Sequence, residues 1–315
     1  MPGQADDQGF RVTSVIALLI AVSLAADAQD PAQVAVREGV ARNVYITATT
    51  RDGAPAKDLT AAEVTVREDG KPREVLKVAP ASETMQIALL VDDAGPGIQH
   101  IRVGVGEFIQ ILQDRAEIAI VSTAGQNTVI VDFTADAGTL MNGVRRLVTR
   151  TTSGGYLLDA IQESARTLQR REAARPVIVV LALEGTEYSN VASDKVLESV
   201  RESRAIVHVL SIGKPTLKTM TPWNQRPTQS IHDSLDETVS RGSVIADATR
   251  QSGGRLEQVV EATGIPARFS EIARELRDQL VVTYARPPGS KGSGRIEVSV
   301  KRSGVKVRAP KQVPR

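Results

Sequence analysis

The sequence predicts an α/β fold: a doubly wound, mostly parallel sheet of the Rossmann type, joined to a small β module drawn from both chain ends. Three observations predict it. Short apolar runs of strand length recur at 86–91, 117–122, 176–183 and 205–211, and runs bounded by turn residues read as strands buried on both faces. Between them lie segments with helical spacing, such as Ile98, Ile101, Val105, Phe108, Ile109 and Leu112. Before residue 82 and after residue 280 the apolar period changes to two. Strands alternating with amphipathic helices imply a parallel sheet covered on both faces.

Taken in order, Val12 to Ala26 is an apolar run that follows Arg11 and ends at Ala26-Asp27-Ala28. This is the anatomy of an export signal, and residues 1–28 are expected to be a cleaved signal peptide. The run is shorter than the roughly 20 residues of a spanning helix. An uncleaved N-terminal anchor is the alternative. Residues 29–82 are expected to form the N-terminal β module. Val44, Ile46 and Ala48 alternate with Tyr45, Thr47 and Thr49, Thr60-Ala61-Ala62-Glu63 fits a capping box, and Glu68-Asp69-Gly70-Lys71 signals a hairpin.

Residues 83–279 carry the α/β domain. After the strand at 86–91 and its helix come a strand at 117–122 and an antiparallel edge strand at 128–133. Helices follow at 136–148 and 157–170. Pro176 to Leu183 is the most apolar strand and so the central one. A helix at 191–202, a strand at 205–211, a helix at 241–251, a short strand at 255–259 and a helix at 266–279 complete the set. Lys214 to Glu237 breaks the rhythm with three prolines and the single tryptophan, Trp223, and reads as a long loop inserted near the carboxyl edge of the sheet. Residues 280–315 return to β, with Ile296, Val298 and Val300 alternating with polar residues, and are expected to pack with the N-terminal module. From Lys291 on, eight bases accompany one acid, Glu297. They read as the solvated faces of edge strands, where Lys and Arg discourage strand-to-strand association.

Composition removes several functions. The chain of 315 residues has no cysteine, which excludes disulfides, zinc-thiolate sites and thiol nucleophiles. A net charge of +2 gives no footprint for nucleic acid. No Gly-x-Ser-x-Gly elbow and no phosphate loop occurs, and Gly104-Val105-Gly106 lies inside a helical pattern. Of the three histidines, His208 falls within a buried strand, where a hydrogen-bonded core role is expected. His100 falls on the first turn of the helix behind Asp92 and Asp93. These two carboxylates, at the end of the first buried strand and before Gly95-Pro96-Gly97, are the leading site candidates, because ligands of such sheets bind at the carboxyl ends of the strands.

The order of these features resembles a von Willebrand factor type A domain, and more narrowly the bacterial secreted "VWFA-related" proteins. The matching words are Asp52-Gly53-Ala54-Pro55, Leu59-Thr60, Val66-Arg67-Glu68-Asp69-Gly70-Lys71 and Ser252-Gly253-Gly254-Arg255. The resemblance implies a metal-ion-dependent adhesion site with Asp-x-Ser-x-Ser after the first strand, a threonine before a helix and an aspartate after the central strand. The first aspartate falls on Asp92, the serines on Ala94 and Pro96, the threonine on Gly155 and the last aspartate on Glu184. Three hydroxyl donors are therefore missing, and the expected site is degenerate. Asp93, Thr151, Thr152, Ser153, Thr186 and Glu187 are the possible substitutes.

The expected function is a non-enzymatic, exported protein-binding or adhesion-type module that needs no cofactor. It would work through the loops at 92–99, 151–157, 184–190 and 214–237, with Trp223, Tyr188 and His100 as partner contacts. The expected partner is a protein of the envelope or extracellular space. Nucleic acid is not expected, and a membrane only if the N-terminal segment stays uncleaved. One alternative is a Mg²⁺- or Mn²⁺-dependent adhesion module that uses Asp92, Asp93 and Glu184. The other is an envelope hydrolase.

Overall fold

The computed structural model describes residues 40–94, 97–150, 154–183, 185–213, 229–289 and 294–312. The expected signal peptide, Trp223, Glu184 and the 151–153 segment lie outside the described residues.

The chain opens with β1 (Val40–Thr49), a one-turn 3-10 helix (Ala61–Glu63), β2 (Val64–Glu68), β3 (Lys71–Arg73) and β4 (Val75–Pro80). The capping box is present: the Thr60 amide donates to Glu63 Oε2 at 2.9 Å. The hairpin between β2 and β3 turns on Asp69 and Gly70, both with left-handed φ. The α/β domain then runs through β5 (Met85–Val91), α1 (Ile98–Leu112), β6 (Ala116–Ser122), β7 (Thr128–Thr134), α2 (Ala137–Arg146), β8 (Gly154–Gly155), α3 (Leu157–Arg170), β9 (Arg175–Leu183), β10 (Thr186–Glu187), α4 (Ser193–Ser203), β11 (Ile206–Ile212), α5 (Gln229–Ser252), β12 (Leu256–Val259) and α6 (Ile265–Arg277). The chain closes with β13 (Leu280–Arg286), β14 (Ile296–Val300) and β15 (Lys306–Arg308).

The central sheet has the order β12-β11-β9-β5-β6-β7. All its pairings are parallel except β6 with the edge strand β7. β5 and β9 sit in the middle, and their residues are buried on both faces almost throughout. Alternation sorts the side chains. Ile87 and Leu89 join the core beneath α1, α2 and α6, whereas Ala88 and Leu90 join the core beneath α3, α4 and α5. α1 and α6 approach closely: a Cβ on Gly104 would stand 3.0 Å from both Ile265 and Phe269 side-chain atoms, and Phe108 meets Phe269 edge to face with centroids 5.8 Å apart. Gly104 is thus a packing residue.

Both chain ends build the β module. One sheet has the order β15-β1-β13-β4 and the other β14-β2-β3. Their facing sides enclose a core of Val44, Ile46, Val64, Val66, Val282, Tyr284 and Ile296. Arg175, at the start of β9 and 2% exposed, ties the module to the domain. Its guanidinium donates to Gln279 Oε1 at 2.8 Å and to the Leu276 carbonyl, and lies 5.3 Å from the centre of the Tyr45 ring. Burial lowers its pKa to about 10.

Three expectations need correction. The loop expected over 214–237 ends earlier, because α5 begins at Gln229 and runs for 24 residues. Pro227 is the last proline before it, and no glycine intervenes until Gly242, so the polar run has no breaker to stop helix formation. His208 is fully buried as expected, but neither ring nitrogen has a hydrogen-bond partner. The nearest carboxylate, Glu275 Oε1, is 4.0 Å away. The basic tail is also more than a solvated face: Arg302 reaches Glu63 and Asp58, each at 2.7 Å, and Arg308 pairs with Glu275.

Candidate functional site

Strand order brings the carboxyl ends of β5, β6 and β9 side by side, and there the chain gathers its polar groups. Asp92 and Asp93 follow β5 directly. The Thr123 amide donates to the Val91 carbonyl at 2.9 Å, the Asp92 amide to the Leu181 carbonyl at 3.0 Å and the Arg150 amide to the Asp93 carbonyl at 3.1 Å. β8 and β10 form a two-stranded parallel ribbon above this edge, and the Tyr188 amide closes it on the Gly155 carbonyl at 2.8 Å.

Each carboxylate has protein partners. Asp92 Oδ1 accepts from the Ala94 amide at 3.1 Å, and Oδ2 from the Leu183 amide at 3.2 Å. Burial raises the Asp92 pKa, while these amides and Arg241 work against the rise. Asp93 is 1% exposed. Its Oδ1 accepts from the Ser122 hydroxyl at 2.6 Å, and its Oδ2 lies 3.5 Å from Arg150 Nε. Glu187 is buried as well. Its Oε1 accepts from the Leu158 and Ser189 amides, each at 3.3 Å, and its Oε2 lies 3.5 Å from Arg241 Nε. Arg241 also donates to the Leu183 carbonyl at 2.9 Å and the Gly185 carbonyl at 3.1 Å. Two guanidinium groups therefore stand at the edge where the resemblance implies a divalent cation.

The described residues lack several of the donors that such a cation takes. Mg²⁺ takes near-octahedral oxygen donors at about 2.1 Å. Ala94 supplies no side-chain oxygen. Gly155 cannot supply one either, since a Cβ there would meet the Thr123 carbonyl oxygen. Thr186 lies in β10, in register with Gly154. Among the described residues no group of three or more His, Asp and Glu side chains converges on one point.

Of the expected partner contacts, Tyr188 is on this edge, 41% exposed, with its ring 6.0 Å from that of Tyr156. His100 is half-buried on the first turn of α1. Sequence reasoning missed Arg150, Arg241 and Ser122. Ser122 could have been found as the polar last residue of an apolar strand. The two arginines carry no local signal, since each reaches its carboxylate from a different loop or helix.

Residues 90–183 match the family model for the von Willebrand factor type A domain. No curated protein matches the chain. Among solved structures, a von Willebrand factor type A protein from Catenulispora acidiphila aligns at 12% identity and a TM-score of 0.46, covering 87% of this chain and 74% of that one. Proximal thread matrix protein 1 from the mussel byssus aligns at 10% identity and a TM-score of 0.49, covering 66% of this chain and 50% of that one. The vWF domain of the type V pili tip protein Mfa5 from Porphyromonas gingivalis aligns at 9% identity and a TM-score of 0.42, covering 62% and 96%. The matched segment begins with the last residues of β5, ends with β9 and holds Asp92, Asp93 and β8, so this stretch of the α/β domain is similar to a von Willebrand factor type A domain.

Proposed function

We propose that the carboxyl edge of the sheet is a protein-binding surface that works without a metal ion and without turnover, in an exported protein whose partner belongs to the envelope or the extracellular space. The observation that carries this reading is the pair of arginine counterions. Arg150 faces Asp93 and Arg241 faces Glu187, in a setting where both oxygens of Asp92 are already held by backbone amides. The positive charge that this edge needs is supplied by the chain itself. The carboxylates then act as scaffold for the loops, and the contact falls to exposed groups above them, Tyr188 foremost. Aromatic side chains over a rigid base are favoured anchors in protein interfaces. The apolar run Val12 to Ala26 supports export.

Two measurements test it. Calorimetric titration of the chelator-treated protein with Mg²⁺ or Mn²⁺ is expected to give no binding heat; micromolar binding that disappears in Asp92→Ala overturns metal independence. Capture of partners from an envelope fraction is expected to survive EDTA and to weaken in Tyr188→Ala. Capture that EDTA abolishes, or that Tyr188→Ala leaves unchanged, refutes this use of the edge.

A further inference from the structure

At the opposite pole, where the parallel strands begin, the chain holds a cavity of about 280 Å³. It lies in the seam between β1 of the module, the start of β9 and β11, the end of α4 and the last turns of α5. Its floor is apolar: Leu197, Val200, Ile206 and Ala248 face it. Three arginines, Arg42, Arg201 and Arg204, line it together with no acidic residue. Arg201 has only a long pairing with Glu198, at 3.9 Å. Arg42 and Arg204 are exposed. Arg204 caps α4 in the left-handed region, with φ 59°. Glycine fills that position at the least conformational cost, so an arginine there points to use of its side chain.

We propose that this cavity binds a small amphipathic carboxylate, its apolar body against Leu197, Val200, Ile206 and Ala248 and its anionic head among Arg42, Arg201 and Arg204. Charge decides the head group, since the cavity offers three guanidinium groups and no lining acid. Guanidinium forks bind carboxylates in two-point geometry. Volume decides the body. At about 30 Å³ for a water-sized volume, the space accommodates about ten non-hydrogen atoms, near the lower bound for ligand pockets. The site shares no residue with the carboxyl edge and stands whether or not that edge binds a partner.

The test is calorimetric titration of the full chain with octanoate, and with octanol and butyrate as probes lacking the charge or most of the apolar body. One octanoate per chain is expected, with octanol and butyrate each at least about tenfold weaker. Arg42→Gln and Arg204→Gly are expected to weaken octanoate by at least about fivefold. Both sites are exposed, and glycine suits the Arg204 backbone, so these variants keep the fold. Leu197→Trp, which fills the cavity from its half-buried wall, should abolish binding while a melting curve confirms folding. Equal affinity for octanoate and octanol, unchanged affinity in both arginine variants, or no octanoate heat at about 5 mM overturns the proposal.

Discussion

His208 sits in the middle of β11 with no exposed surface and no hydrogen-bond partner on either nitrogen. Burial pushes its imidazole down from 6.5 to about 4. Glu275 pulls the other way, and Arg308 and Arg255 reinforce the fall. The unfolded chain therefore takes a proton near pH 6.5, and the folded chain resists it until about pH 4. Stability is fully present above 6.5 and is lost as pH falls through that window. A depression of about 2.5 units at 1.36 kcal/mol each amounts to about 3 kcal/mol. In His208→Leu the titrating group and its unpartnered nitrogens are gone, and leaving such groups buried costs about 1–3 kcal/mol. The variant should equal or exceed the parent at pH 7 and lose about 3 kcal/mol less between pH 7 and pH 4. Burial opposes the Glu275 carboxylate, but His208, Arg308 and Arg255 outweigh it and hold its pKa below the ordinary value. Its stabilisation is present above that value and lost as pH falls through it; because His208 contributes to that lowering, the difference between parent and variant reports His208 together with its coupling to Glu275. Urea unfolding at pH 7, 5.5 and 4.5 measures it. Parallel stability curves for parent and variant, or the His208 imidazole itself titrating near 6.5 by NMR in the folded protein, refute the reasoning.

Three further outcomes follow from the packing. Asp93→Ala leaves the buried Ser122 hydroxyl without its acceptor and should cost about 2–3 kcal/mol in denaturant unfolding; Arg150→Ala leaves the buried Asp93 carboxylate without its counterion and should cost about 3 kcal/mol. Gly104→Val would drive methyl groups into Ile265, Phe269 and the Pro266 backbone, and a loss of about 1–3 kcal/mol is expected from melting curves. Arg175→Met keeps the stem but strands the Gln279 and Leu276 acceptors, and about 3 kcal/mol should be lost, with the seam between module and domain opening first by hydrogen exchange.

The strands at 86–91, 117–122 and 176–183 could be read from the chain because burial on both faces leaves a local mark, an unbroken apolar run. Asp92 and Asp93 could be placed at a strand end for the same reason. Gly155 and Ala94 could be read as lost donors once the family pattern was aligned. The start of α5 could not be read, since a polar helix and a polar loop differ little in composition. Arg175 passed unnoticed because its partners, Gln279 and Leu276, lie across the sheet in another element.

By itself the sequence determined the alternation of strand and helix, the β pieces at both ends and the carboxylate pair, since each depends on periods of two or 3.6 residues along a single stretch. Only the tertiary structure decided what those carboxylates meet. The order β12-β11-β9-β5-β6-β7 brings Ser122 and Arg150 to Asp93, and Arg241 to Glu187 beside Asp92. These pairings cross from one connection to another, and electrostatic partners depend on distance in space, on which linear spacing is silent.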